Sequence, residues 1–131
     1  MIGLHLAWPG AVLLGFPLTL AGLLPMALGF GLAAAAKRRF DHAGADVRPF
    51  AKTPALVTDG PFRVSRNPMY LGLVLATAGV AVLLGTLTPW LGPILLAVWL
   101  DVAFARREER HMQALFGADY AAYRARVRRW I

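Results

Sequence analysis

The sequence predicts an all-α integral membrane helical bundle of about three transmembrane helices, with a C-terminal helical hairpin and a short amphipathic interfacial helix. Three observations predict it. Hydrophobic residues make up 58% of the 131 residues, above the roughly 45–50% of soluble domains. The charges come in blocks: none in residues 1–36, seven basic and three acidic in 37–66, none in 67–100, seven basic and four acidic in 101–131. Both flanks of the second uncharged block are basic. A soluble amphipathic helix carries a charge every turn or two, so this pattern belongs to membrane spans. The length favours a single membrane domain. It divides into an N-terminal span (1–38), a loop (39–66), a helical hairpin (67–106) and C-terminal helices (107–131).

The N-terminal block has Pro9, Pro17 and Pro25. It reads as one span over about residues 11–38, kinked near Pro17 and Pro25, with residues 1–10 at the outer interface. Whether it crosses once or twice is not fixed by pattern. Lys37-Arg38-Arg39 stops transfer on the cytoplasmic side. Loop 40–66 holds Gly44, Pro49, Pro54, Gly60 and Pro61, which argue against a long helix. Residues 56–62 read as a short extended piece and a turn.

The 34 uncharged residues 67–100 would form a single helix about 50 Å long, too long for a hydrocarbon core of roughly 30 Å. It would also place basic flanks on both sides of the membrane. A hairpin removes both difficulties: 68–84 out, a turn at Gly85-Thr86-Leu87-Thr88-Pro89, and 90–106 back. Asn67 is a suitable N-cap, and Pro68 then falls at the first helical position. Gly72, Ala76 and Gly79 or Val80 give a small-residue face for close helix approach. The pairs Gly29/Ala33 and Gly31/Ala35 offer the same. The returning helix continues to Phe116, where Gly117 stops it. Asp119 caps a last helix whose Tyr120, Tyr123, Val127 and Trp130 alternate with arginines, as in a basic interfacial helix with aromatic anchors.

The net charge of +7 sits beside apolar blocks, as expected of loops facing anionic lipid. No nucleic-acid-binding module pattern appears, so no nucleic-acid partner is expected. The chain has no cysteine, which excludes disulfides, thiolate metal sites and a Cys nucleophile. His5, His42 and His111 have no metal-site spacing, so no metal is expected. Gly29-Phe30-Gly31-Leu32-Ala33-Ala34 mimics a dinucleotide fingerprint, but no strand precedes it and it lies within a span.

The hairpin brings Arg66, at the start of its outgoing arm, beside Glu108 and Glu109, just past its returning arm. A carboxylate there suits an amino group, and an arginine suits a carboxylate in fork geometry. Asp101 lies seven residues before Glu108, on nearly the same helix face. Tyr70, one turn into the membrane, offers a ring and a hydroxyl. The simpler alternative is a solvated face of internal ion pairs over Arg106–Arg110. His111 reads as a surface residue, with a proton-transfer role left open.

Leu56-Val57-Thr58-Asp59-Gly60-Pro61-Phe62-Arg63-Val64-Ser65-Arg66-Asn67-Pro68-Met69-Tyr70-Leu71-Gly72 resembles the central motif of the isoprenylcysteine carboxyl methyltransferase and phospholipid methyltransferase superfamily. The tail is similar too: Glu108-Glu109-Arg110, Phe116-Gly117-Ala118-Asp119-Tyr120-Ala121-Ala122-Tyr123 and Val127-Arg128-Arg129-Trp130-Ile131. The likeness covers roughly residues 37–131. It implies an integral-membrane enzyme, bacterial and in the inner membrane, that uses S-adenosylmethionine held at the cytoplasmic face. The loop 39–66 and the C-terminus would lie on that side. It implies catalytic roles for Arg66 and Glu109. Cofactor-binding roles fall to Leu56, Val57, Thr58, Gly60, Asn67, Pro68, Tyr70, Glu108, Glu109, Tyr120 and Tyr123.

The expected partners are a lipophilic or small-molecule methyl acceptor and membrane lipid. Neither the acceptor's identity nor assembly into a homo-oligomer can be read from the chain. Two departures stand out. Asn67 replaces the histidine of the prenylcysteine enzymes, and the N-terminal part is one helix shorter than in larger relatives. The alternatives are an NADPH-dependent membrane reductase of the sterol-reductase type, whose chains are much longer, and a non-catalytic small membrane subunit.

Overall fold

Small residues on two apolar helices set the architecture. The structure, a computed structural model, describes residues 1–44 and 55–131. Its α-helices are α1 (Ile2–Ala7), α2 (Leu23–Ala43), α3 (Pro68–Leu84), α4 (Leu91–Leu100), α5 (Arg106–Phe116) and α6 (Ala118–Arg126). Among the described residues there is no strand beyond an isolated antiparallel bridge between Val12 and Thr86. Leu18–Ala43 and Thr88–Phe116 are long and apolar enough to cross a membrane, at 26 and 29 residues; Pro68–Leu84 is a shorter apolar helix. The expectations for Pro49 and Pro54 lie outside the described residues.

The α2–α3 contact forms because neither helix has a Cβ where they cross. A Cβ on Gly79 would sit 2.6 Å from the Gly22 carbonyl oxygen, and one on Gly72 2.5 Å from that of Gly29. The partners step seven residues up α2 and seven down α3, so the helices run antiparallel in a seven-residue register. Ala76 is buried at the same seam. The expected Gly72/Ala76/Gly79 face and the Gly29/Ala33 pair are therefore both used. The expected Gly31/Ala35 packing is not found: a Cβ on Gly31 would meet nothing within 4 Å. Gly31 lies two residues from Gly29, about 200° around the helix, so both cannot face α3.

The first span begins later than expected. Residues 8–17 are not helical, and Leu18–Gly22 forms a 3-10 turn that leads into α2. Pro17 precedes this helix rather than kinking it. Pro25 falls in the first turn of α2, where a missing N–H costs no helical hydrogen bond. Residues 9–14 instead lie across the hairpin turn. Leu13 and Leu14 N–H donate to Gly85 O at 2.8 and 3.0 Å, and Leu87 N–H donates to Ala11 O at 3.0 Å. Thr88 Oγ1 donates to Trp8 O at 2.7 Å, and Thr86 Oγ1 lies 2.7 Å from His5 Nδ1. A hairpin turn exposes backbone groups that need partners, and the N-terminal segment supplies them. The turn itself follows the sequence: α3 ends at Leu84 with Gly85 left-handed at φ 68°.

The returning helix is continuous from Thr88 to Phe116 but contains a π-helical turn at Asp101–Ala105. Such a turn accommodates one extra residue. It rotates everything after it, so Asp101 aligns with Glu109 rather than with Glu108 as the sequence spacing suggests.

Beyond α5, Gly117 breaks the helix at φ 51° and itself occupies the N-cap of α6, so Asp119 falls in the first turn and does not cap. The aromatic face of α6 turns inward. Tyr120, Tyr123 and Val127 join Ala36, Val57 and Phe62 in a buried cluster, edged by Phe40, Leu56, Met69, Met112 and Phe116. These residues anchor α6 to the protein, while Arg124, Arg126 and Arg128 remain exposed.

Candidate active site

The site forms where the start of α3, the start of α5 and the C-terminal segment meet. Ser65, Asn67 and Pro68 are all buried. Asn67 occupies the N-cap position of α3 but makes no side-chain capping bond. Its Nδ2 donates instead to Arg129 O at 3.2 Å, and its backbone N–H donates to Ser65 Oγ at 3.1 Å. Ser65 Oγ also donates to Arg129 O at 3.2 Å, and Arg66 N–H donates to Arg128 O at 3.0 Å. The tail thus runs along the residues that open α3.

Those backbone ties place Arg66 against α5. Arg66 Nη2 lies 3.4 Å from Glu109 Oε1, with both side chains under 10% exposed at 8% and 7%. Arg129 takes Glu109 in a fork: Nε donates to Oε1 at 2.8 Å and Nη2 to Oε2 at 3.0 Å. Arg129 Nη1 reaches Asp101 Oδ1 at 3.2 Å. Asp101 also accepts from Arg106 Nε at 2.7 Å and Trp130 Nε1 at 3.3 Å. Three arginines and two carboxylates form one connected network. The hydrogen bond to Glu109 holds the Arg129 guanidinium protonated well beyond its ordinary range.

Glu108 has a different partner. The Tyr70 hydroxyl donates to its Oε1 at 2.7 Å. The Tyr70 ring lies 6.2 Å from that of Phe104, which meets Trp99 edge-on at 5.1 Å. An aromatic path therefore leads from the carboxylate toward the exposed apolar side of α4.

No hydrogen-bond partner among the described residues reaches Arg66 Nε or Nη1, and both atoms are buried. A buried unpaired donor costs roughly 1–3 kcal/mol. On a buried cation beside a paired carboxylate, such donors are free to take an acceptor. His111 Nε2 is also buried without a partner among the described residues, so His111 is not a plain surface residue.

The other expected site residues fall into two groups. Tyr120 stands beside Glu109 and Arg66; burial, and then the Glu109 charge, push its hydroxyl pKa up. Leu56 and Val57 pack into the core cluster, and Gly60, at φ 60°, lies against Arg39. Arg39 Nη1 in turn pairs with Asp59 Oδ2 at 3.0 Å. Thr58, in the same loop, is partly buried. Tyr123 braces the loop: its hydroxyl donates to Phe62 O at 2.7 Å. The sequence reading assigns Arg129 no site role, because it takes the tail arginines as the basic side of an interfacial helix. Position 129 falls outside α6, so helical periodicity carried no signal for it.

Tyr123→Phe removes the donor to a buried carbonyl and is expected to cost about 1–3 kcal/mol, read as a lower melting temperature in detergent. Burial also raises the Tyr123 pKa. A raised folded-state value contributes stability that is complete below the unfolded value of about 10 and is lost as pH rises toward the folded value. The wild-type melting temperature should therefore fall on the alkaline side of about pH 10, and the fall should be shallower in Tyr123→Phe.

Comparison with known proteins identifies the family. The phospholipid methyltransferase family matches residues 18–119. Protein-S-isoprenylcysteine O-methyltransferase of Schizosaccharomyces pombe is 29% identical over 121 residues, covering 90% of this chain and 45% of that one. An uncharacterised protein of Haemophilus influenzae is 35% identical over 63 residues, 48% of this chain and 100% of its own. The chain thus spans under half the length of the yeast relative. No solved structure matches it significantly. The matched region holds α2 through α5, with Arg66 and the glutamate pair, so the chain belongs to the phospholipid methyltransferase family.

Proposed function

We propose that this chain transfers a methyl group from S-adenosylmethionine to a lipophilic or small-molecule acceptor at the cytoplasmic face of the membrane. One observation carries the proposal: a buried arginine with two donor atoms unpaired among the described residues, Arg66 Nε and Nη1, stands close to Glu109, which Glu108 precedes on α5. The residues fit the cofactor's amino-acid moiety. Arg66 takes its carboxylate and Glu108 takes its ammonium, while Tyr70 orients Glu108. Tyr70 and Phe104 present ring faces suited to a cationic sulfonium. Arg129 holds Glu109, and Glu109 stands beside Arg66 as its counter-charge rather than meeting the ligand first. Tyr120 and Tyr123 brace the site, and Asn67 and Pro68 fix the start of α3.

Bound there, the cofactor supplies an electrophilic methyl group for in-line displacement. The protein's task is to position the acceptor and exclude water. A lipophilic acceptor suits the exposed Ile94, Leu95, Val98 and Trp99 of α4 and Val102 of the π-helical turn, which form an apolar wall next to the aromatic path. The orientation follows from charge. Lys37–Arg39, Arg66 and Arg106–Arg110 gather at one end of the bundle, and the uncharged hairpin turn with residues 1–17 is at the other. The positive-inside rule supports the cytoplasmic side for the basic end.

Calorimetry with S-adenosylhomocysteine tests the proposal. Wild type in detergent is expected to bind, and Arg66→Ala to weaken binding by about 2 kcal/mol or more. Stabilisation by NADPH instead of S-adenosylhomocysteine in thermal melts would favour a reductase and overturn the proposal. Labelled methyl donor added to membranes carrying the protein should then show whether lipid or a soluble molecule takes up the label.

A further inference from the structure

We propose that Arg129 is a positioning residue that keeps Arg66 available. By holding Glu109 in a fork, it prevents that carboxylate from closing onto Arg66 and using up the donors meant for the ligand. The inference rests on Arg66 being the partner of a ligand carboxylate, as proposed above.

Glu109 has two oxygens and two arginine neighbours, and the contacts are unequal. Arg129 reaches Oε1 at 2.8 Å and Oε2 at 3.0 Å, which is paired fork geometry. Arg66 Nη2 stands 3.4 Å from Oε1, longer than the roughly 2.7–2.9 Å of a charge-assisted hydrogen bond. Arg66 therefore touches the carboxylate loosely while Nε and Nη1 remain unpaired among the described residues. Without the Arg129 fork, Glu109 would have two bare oxygens facing a buried guanidinium with bare donors. In a low-dielectric setting that pair closes. A closed Arg66–Glu109 fork is internally neutral and no longer receives an anion.

Arg129 is fixed from both ends for this task. Its carbonyl accepts from Ser65 Oγ and Asn67 Nδ2. Its remaining nitrogen, Nη1, is held by Asp101, which Arg106 and Trp130 hold in turn. The π-helical turn places Asp101 on the Glu109 side, so one guanidinium spans both carboxylates. Asn67 thus acts through its amide N–H, latching the tail that carries Arg129.

The full chain in detergent is titrated with S-adenosylhomocysteine by calorimetry, and each variant is also melted. Arg129→Gln should weaken binding about tenfold, the size of one charge-assisted hydrogen bond. Arg129→Lys, which keeps a cation against Glu109, should recover part of that loss. Glu109→Gln combined with Arg129→Gln removes the competing carboxylate and should restore wild-type affinity or better, even with a lower melting temperature. A merely structural Arg129 predicts the reverse order, with the double variant binding worst. The proposal is overturned if Arg129→Gln binds as wild type does, or if a folded double variant binds no better than Arg129→Gln. Should the double variant not fold, equal affinities for Arg129→Lys and Arg129→Gln overturn it. Failure of wild type itself to bind would remove the reading of Arg66 beneath it, a separate result.

Discussion

Replacing Gly72 with leucine is expected to abolish the stable fold, whereas Gly31→Ala should be neutral or stabilising. The two glycines differ in what faces them. A Cβ at position 72 would lie 2.5 Å from Gly29 O and 3.0 Å from the Ala33 Cβ, while one at 31 meets nothing within 4 Å. Backbone on the facing helix cannot yield as a flexible side chain does, so α2 and α3 must separate. Overpacking of one methyl group typically costs about 1–3 kcal/mol, and leucine adds three more carbons. The loss is not local, because Gly22 and Gly79 share the same register one heptad away. Separation also takes Ala36, at the foot of α2, out of the cluster that seats Tyr120 and Tyr123. Gly31→Ala instead gains helix propensity, about 0.5–1 kcal/mol. Melting temperatures in detergent of the two variants and wild type decide the matter. A Gly72→Leu protein that melts with wild type would show that the helices do not meet along this seam.

The parts legible in the sequence were those governed by local backbone chemistry. Gly85 and Pro89 mark a turn because left-handed φ and a missing N–H are properties of the residues themselves. Gly117 ends α5 for the same reason. The charge blocks placed the hairpin, and the hairpin brought Arg66 to Glu109. What was not legible depended on non-local partners. The segment 9–14 is apolar like a span, and the hydrogen bonds offered by residues 85–88 draw it out of the helix. The π-helical turn leaves no mark in composition, yet it decides which carboxylate Asp101 joins. The Tyr120 and Tyr123 face looked like a membrane anchor because an apolar helical face is the same whether lipid or protein covers it. Arg129 was hidden among four tail arginines until the extended backbone after α6 singled it out.

The two adjacent glutamates are expected to fail in opposite ways. Glu108→Ala should abolish S-adenosylhomocysteine binding in a protein that still folds, while Glu109→Ala should damage the fold itself. Among the described residues Glu108 accepts one hydrogen bond, from the Tyr70 hydroxyl, and losing it costs about 1–3 kcal/mol of stability. As the proposed partner of the ligand ammonium it carries more in binding, where truncating one side of a buried charge pair costs about 2–5 kcal/mol. Glu109 is 6% exposed and stands between two guanidiniums. Its removal leaves Arg129 with Asp101, but leaves Arg66 buried with no anion from the Glu109 position. Breaking a buried pair from one side costs about 3–5 kcal/mol, a large share of the stability of a domain this size. Melting and calorimetry on the same preparations separate the two effects. A Glu108→Ala protein that binds normally would move the ammonium site elsewhere. A Glu109→Ala protein as stable as wild type would mean that Arg66 finds its counter-charge in another group.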